Sequence, residues 1–202
     1  MIIGICGLIG SGKNTVADIL IQEHNFQKLS FADRLKDAVA ATFGWDRMML
    51  EGTTDVSRTW REKPDEFWSN ETNRTITPRL VLQEFGTDCL RVGFFDGIWV
   101  SLVKQTIIEN PHNNYVITDV RFQNEVKMMK NIGGFVWEIK RGPDPKWRIE
   151  YENNNIEPSV HASEWHWIKG PKDVYIENSG TISDLKNQVK DLLASTEHHP
   201  SA

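Results

Sequence analysis

The stretch GICGLIGSGKNTVADIL, residues 4–20, constrains the fold more than any other part of this 202-residue chain. An apolar segment leads into a loop holding Gly7, Gly10 and Gly12. A segment then follows in which Val16, Ile19 and Leu20 recur at helical spacing. Strand, glycine loop and helix in that order, with Lys13 at the junction, fit the pattern G-x-x-x-x-G-K. The glycines let backbone amides close around an anion. The helix presents unpaired N–H groups and the positive end of its dipole, and Lys13 adds a point charge for terminal phosphates. The next position usually offers a hydroxyl to magnesium. Here it is Asn14, a neutral amide, with the Thr15 hydroxyl one place later.

The rest of the chain alternates strand and helix signals, which predicts an α/β fold with a parallel sheet covered on both faces. Strands are expected at 2–6, 26–31, 114–120, 135–141 and 173–178. Helices are expected at 13–24, from 33 to near Gly44, from Thr77 as N-cap with Pro78 following, at 97–109, 121–134 and 181–193. Thr181 and Asp184 form a near capping box. Residues 45–76 are polar and lack apolar periodicity, so they read as an insertion or mobile segment over the sheet edge. Residues 142–167 are polar and proline-marked, and the tail at 194–202 is expected to be disordered.

Composition narrows the class. With 39% hydrophobic and 25% charged residues, the chain reads as an ordinary globular protein, and it has no membrane-spanning run or leader signal. A cytoplasmic location is therefore expected. The net charge of −5 argues against a broad nucleic-acid surface but leaves room for a locally positive cleft. Cys6 and Cys89 have no metal-ligand spacing, and Cys6 reads as a reduced, packed thiol in the first strand. Most of the eight tryptophans are assigned to packing.

Two further patterns carry chemistry. In VITDVRFQNE, Asp119 ends a buried strand, where a phosphate-loop protein places the carboxylate that organises magnesium-bound water or substrate. Arg121 and Glu125 follow at i,i+4 spacing, which a surface ion pair would also explain. The other pattern is a stripe of Arg79, Gln83, Thr87 and Arg91 at every fourth residue, opposite Val81, Phe85 and Cys89. Gly86 is read as a bare patch beside that stripe. Its leading arginine suits a bidentate phosphate clamp, and a solvated helix face is the plain alternative.

Together GSGKNTVAD, SFADRLK, RLVLQEFGTD with Trp99, DVRFQNE, HASE and IENSGTISDL resemble the bacteriophage deoxynucleoside monophosphate kinases. The resemblance spans about residues 1–193 and weakens across 45–76 and 142–160. It implies a P-loop NTPase three-layer αβα fold, with a five-stranded parallel sheet flanked by helices, a helical acceptor-binding insertion and a lid. The implied organisation is a single kinase domain over 1–193, with core 1–44 and 114–193, acceptor-binding helical region 45–113 and lid about 142–165.

The resemblance also implies roles. Gly10, Ser11, Gly12, Lys13, Asn14 and Thr15 would hold the phosphates of ATP, with Asn178 and Gly180 near its adenine. Asp33, Lys36, Arg61, Arg79, Gly86, Thr87, Trp99, Asp119, Arg121 and Glu125 would bind the nucleoside monophosphate, with Arg58 and Lys63 competing for the part of Arg61. Arg34 departs from the family, where proline is common. Lys13, Arg79, Arg121 and Arg141 are the catalytic candidates, with Arg148 as the alternative lid arginine. Asn14, Thr15 and Asp119 are the magnesium candidates, directly or through water. Trp99 is read as stacking on the base or shaping its pocket. Lid closure would exclude water and suppress ATP hydrolysis.

The acceptor is already an anionic nucleophile, so the reaction needs two polyanions aligned rather than a strong base. A homodimer is compatible with the resemblance, and nothing in the sequence requires one. The rival readings are a small-molecule kinase resembling dephospho-CoA or phosphomevalonate kinase, and a nucleotide-dependent switch. A metal hydrolase is a weaker third, since His161 and His166 have no companion pair. His161, Ser163 and Glu164 are assigned instead to a lid hinge or a structural hydrogen-bond group.

Overall fold

The structure is a computed structural model that describes residues 1–160 and 162–197. Among these residues, one parallel sheet contains β1 (Ile2–Cys6), β2 (Phe26–Leu29), β3 (Asn114–Ile117), β4 (Phe135–Lys140) and β5 (Val174–Glu177), in the order β2-β3-β1-β4-β5. The strands match the expected ones but stop up to three residues earlier, because pairing ends where the chain turns off the sheet. Asp119 therefore lies just beyond β3 rather than within it.

Contact density divides the chain into two compact units, Met1–Ser30 with Lys104–Ala202, and Phe31–Val103. The helices of the chain are α1 (Lys13–His24), α2 (Asp33–Phe43), α3 (Asp55–Glu62), α4 (Glu66–Thr72), α5 (Pro78–Glu84), α6 (Ile98–Glu109), α7 (Gln123–Asn131), α8 (Lys146–Asn154) and α9 (Ile182–Glu197). Helix α2 falls in the second unit, and α6 runs across the division.

In the first unit the two-residue period of β1 separates two layers. Ile3 and Ile5 pack with Val16 and Leu20 of α1 and Leu185 and Val189 of α9. Gly4 faces the other way, where a Cβ would lie 3.1 Å from Met129 of α7. Helices thus cover both faces of the sheet. Cys6 is buried, and burial together with Glu138 pushes its thiol up to about 12, so it stays protonated and inert. Helix α9 continues through Glu197, so residues 194–197 of the expected tail are helical. Residues 198–202 lie outside the described residues.

In the second unit, residues 45–76, read as an insertion or mobile segment, form regular elements. The segment contains a 3-10 turn at Met49–Glu51, then α3 and α4. Thr54 and Ser57 form a reciprocal capping box on α3. Asp65 caps α4 at Trp68 N and also accepts from the Trp45 indole at 2.9 Å. The packing is aromatic rather than aliphatic, which is why no apolar period appears in the sequence. Phe43 stacks on Trp45 at 4.7 Å, Trp60 and Trp68 meet them edge-on, and the group packs on Val39, Leu50, Ile76 and Val81. Among the described residues, no helix is long and apolar enough to cross a membrane.

An ion-pair group ties α2 to the 3-10 turn. Glu51 accepts from Lys36 at 2.7 Å and from Arg47, which also reaches Asp37. Burial acts to raise the Glu51 carboxyl, but the two hydrogen bonds outweigh it and carry it from 4.5 down to about 2. A carboxyl that holds its proton more weakly when folded stabilises the protein above the unfolded value and loses that contribution as pH falls toward 2. Denaturant unfolding of wild type and Glu51→Gln from pH 7 to pH 2.5 should therefore show a stability gap that closes below about pH 4.5.

Candidate active site

The turn from β1 into α1 can be made only by glycine at three places. Gly7, Gly10 and Gly12 have φ of 145°, 79° and 97°. At Gly7 a Cβ would lie 2.4 Å from the Ile139 carbonyl oxygen, and at Gly12 it would lie 2.1 Å from the Asn178 amide nitrogen. Asn178 also donates to the Ser11 carbonyl at 2.9 Å. The residue expected near an adenine thus braces the loop from beyond β5. Gly180 similarly leaves room for Asp184, which accepts from Thr181 N at 2.8 Å and completes the capping box of α9.

Lys13 lies folded over the loop and donates to the Gly7 and Leu8 carbonyls, both at 2.8 Å. Burial and the neighbouring Arg121 guanidinium push its ammonium from 10.5 down to about 8. Asn14 and Thr15 are exposed on the first turn of α1, and Ser11 is buried.

The connections from β1 and β3 leave these adjacent strands toward opposite sides of the sheet, which opens a crevice at their carboxyl ends. The phosphate loop occupies one lip and Asp119 the other. Asp119 accepts from Ser30 Oγ at 2.7 Å, a partner that no sequence period announces. Glu125 is 2% exposed and accepts from the backbone N–H groups of Arg121 and Phe122 at 2.7 and 3.0 Å. It therefore caps α7 and fixes the Arg121 backbone, so the i,i+4 surface pair that would also have explained the spacing is not what the structure contains. The Arg121 guanidinium reaches Glu164 at 3.2 Å.

A cavity of about 370 Å³ opens beside the loop, lined by Leu8, Ser11, Arg141, Trp147, Arg148 and Glu164 among others. The two arginines expected in a lid differ. Arg141 is exposed, whereas Arg148 is 2% exposed and is held by Glu138 at 2.7 Å, Glu152 at 3.1 Å and Asp144 at 3.3 Å. Arg148 anchors α8, a helix the polar sequence did not announce, and its charge is already committed. His161 lies outside the described residues.

The second unit holds the remaining expected residues. Lys36 is engaged by Glu51 and lies 3.9 Å from Asp33. Arg61 has a buried Nε without a hydrogen-bond partner, and burial and the nearby Arg79 charge hold its pKa below the ordinary value. Arg79 is exposed and pairs with Glu62 at 3.1 Å. These two arginines thus form a cationic pair within the unit.

The four-residue stripe does not persist. After α5 the chain becomes a π-helix at Phe85–Val92, with Gly93 N and Phe95 N each donating five residues back, to Asp88 and Leu90. The wider turn moves Gly86 inside and leaves Cys89 exposed. The patch expected at Gly86 is filled, because a Cβ there would lie 2.8 Å from Leu35. Trp99 is 5% exposed and donates its indole N–H to the Gly86 carbonyl at 3.1 Å, so it shapes this segment from within. Thr87 remains exposed.

A parallel sheet with this loop and lysine at its switch point defines a P-loop nucleotide-binding protein. A family model described as deoxynucleotide monophosphate kinase matches residues 46–189. A protein of Acanthamoeba polyphaga mimivirus that carries the name of a deoxynucleotide monophosphate kinase is 37% identical over 201 residues, covering 94% of each chain. The deoxynucleoside-5'-monophosphate kinase of Escherichia phage T5 is 25% identical over 179 residues, 64% of this chain and 72% of its own. The crystal structure of TT1252 from Thermus thermophilus superposes with a TM-score of 0.50 at 16% identity, covering 96% of this chain and 97% of that one, and supports the fold alone. This chain belongs to the deoxynucleotide monophosphate kinase family.

Two predictions follow from the loop and the lid. Burial and Arg121 hold the Lys13 ammonium down near 8, and a bound polyanion favours its charged form. ATP binding at about pH 8 should therefore take up a fraction of a proton, read by calorimetry in buffers of different ionisation heat, and Lys13→Ala should abolish that uptake. Separately, Arg148→Ala should cost about 3 kcal/mol in denaturant unfolding, because buried Glu138 would keep only Lys172 and Lys140, each at 3.9 Å. Arg141→Ala should stay within about 0.5 kcal/mol of wild type.

Proposed function

We propose that this chain transfers the γ-phosphoryl group of ATP to the phosphate of a deoxynucleoside monophosphate. The observation that carries the reading is the phosphate loop with Lys13 folded over it, in a chain of this kinase family. The loop amides hold the donor's β- and γ-phosphates, and Lys13 turns from the Gly7 and Leu8 carbonyls to meet them. Arg121, held by Glu125 at its backbone, faces the transferring group, and Arg141 approaches it from the exposed lid.

The second unit contributes the acceptor residues. Arg61 and Arg79 suit an anionic phosphate because Glu62 and Glu51 only partly offset the burial and repulsion felt by Arg61. Trp99 and Gly86 fix the π-helix that presents Thr87, while Lys36 and Asp33 sit on α2. Asp119 hydrogen-bonds the acceptor or orients water.

Magnesium would arrive on the nucleotide phosphates and keep several of its waters, so one or two protein oxygens would suffice, drawn from Thr15, Asn14 and Asp119. When bound, the ion neutralises charge between the phosphates.

ADP release measured with ATP, magnesium and each deoxynucleoside monophosphate in turn should show acceptor-stimulated turnover with at least one of them. No stimulation by any would overturn the proposal. Lys13→Ala should lower turnover by on the order of 10²–10³-fold while the circular dichroism spectrum is retained.

A further inference from the structure

A carboxylate lines the cavity beside the phosphate loop, where an incoming polyphosphate would be repelled by it. Glu164 belongs to a 3-10 turn, Ala162–Glu164, whose backbone is held by one indole, with a second indole on the chain just before it. Trp167 donates to the Glu164 carbonyl and Trp165 to the Val160 carbonyl, each at 3.0 Å. Both tryptophans are buried, and the Arg148 and Lys172 cations each lie 5.4 Å from the Trp167 ring centre. The turn is therefore held in place while the Glu164 side chain reaches into the cavity and meets Arg121 Nη1 at 3.2 Å. Arg121 is pinned from its own side, because Glu125 holds its backbone N–H at 2.7 Å.

We propose that Glu164 is a positioning residue that stands in for a phosphate: it holds Arg121 beside the phosphate loop and releases it to an incoming anion. The proposal rests on the reading of Arg121 as a phosphate ligand. Without Glu164, Arg121 would face the Lys13 ammonium unbalanced, and both cations bear on the same loop. A phosphate carries more charge than a carboxylate and offers more acceptor oxygens, so it displaces Glu164 from the guanidinium. The exchange makes Arg121 available only when an anion is present, and each binding event spends part of its free energy on breaking the pair. The pair is partly exposed, at 41% for Arg121 and 22% for Glu164, so its strength is that of a surface ion pair.

Tripolyphosphate serves as a probe because it has no base and undergoes no transfer. Calorimetric titration of the full chain should show Glu164→Gln binding it about two- to fivefold more tightly than wild type, the span of a surface ion pair. Glutamine keeps the side-chain shape and the backbone bond to Trp167. In an Arg121→Gln background the same change should bring no more than the small gain that any removed negative charge gives. Glu164→Asp, which keeps the charge, should bind close to wild type. Unchanged or weaker binding by Glu164→Gln would overturn the proposal, and so would a gain of equal size without Arg121. These titrations involve no turnover, so a failure of the acceptor assay would be seen separately.

Discussion

The donor half of this molecule depends on a chain turn that only glycine can make. Between β1 and α1 the backbone passes through positive φ at Gly7, Gly10 and Gly12, and two of these positions are closed to a side chain by neighbouring atoms. The Ile139 carbonyl presses on Gly7 from β4, and the Asn178 amide presses on Gly12 from beyond β5. Loop shape is thus a property of three adjacent strands rather than of the loop. The parallel sheet fixes the spacing of β1, β4 and β5, and that spacing sets how the amides are displayed and where Lys13 begins.

Charge is organised around the same loop on two scales. Arg148, Glu138 and Lys172 are buried, and any one left alone would be costly, so they hold α8 against the sheet. Glu164 lines the cavity and pairs with the part-exposed Arg121, a contact weak enough to be exchanged for a ligand, while Lys13 rests on loop carbonyls. Arg141 and Arg148 are seven positions apart in one polar segment, yet burial assigns them opposite tasks. In the second unit the division recurs, with Lys36 committed to Glu51 and the Arg61 Nε left unpartnered.

Much of the fold was legible because its signals are local. The strand, glycine loop and helix at the start, the Thr77-Pro78 helix entry and the Thr181–Asp184 box depend on neighbours within a few residues, and the structure contains each of them. Legibility failed where a long-range contact replaced a local period. Residues 45–76 fold around Trp45, Trp60 and Trp68, one large ring from each short segment, so no stripe forms along the chain. The π-helix after Glu84 breaks the four-residue count, since the Trp99 indole and the Leu35 side chain act on Gly86 from 13 and 51 positions away. Helix α8 is held by a buried arginine, the residue type a sequence reading places outside.

The sequence by itself determined the parallel α/β scaffold, the phosphate loop and the family, because glycine, proline and capping side chains act on their own stretch of backbone. Tertiary structure alone decided which cations are available. Glu125 is a cap rather than a surface partner, Trp99 braces the π-helix from inside, and Glu164 faces Arg121 across 43 positions of chain. A side chain's charge is written in its identity, but its freedom to meet a ligand depends on what folding brings within 3 to 4 Å of it.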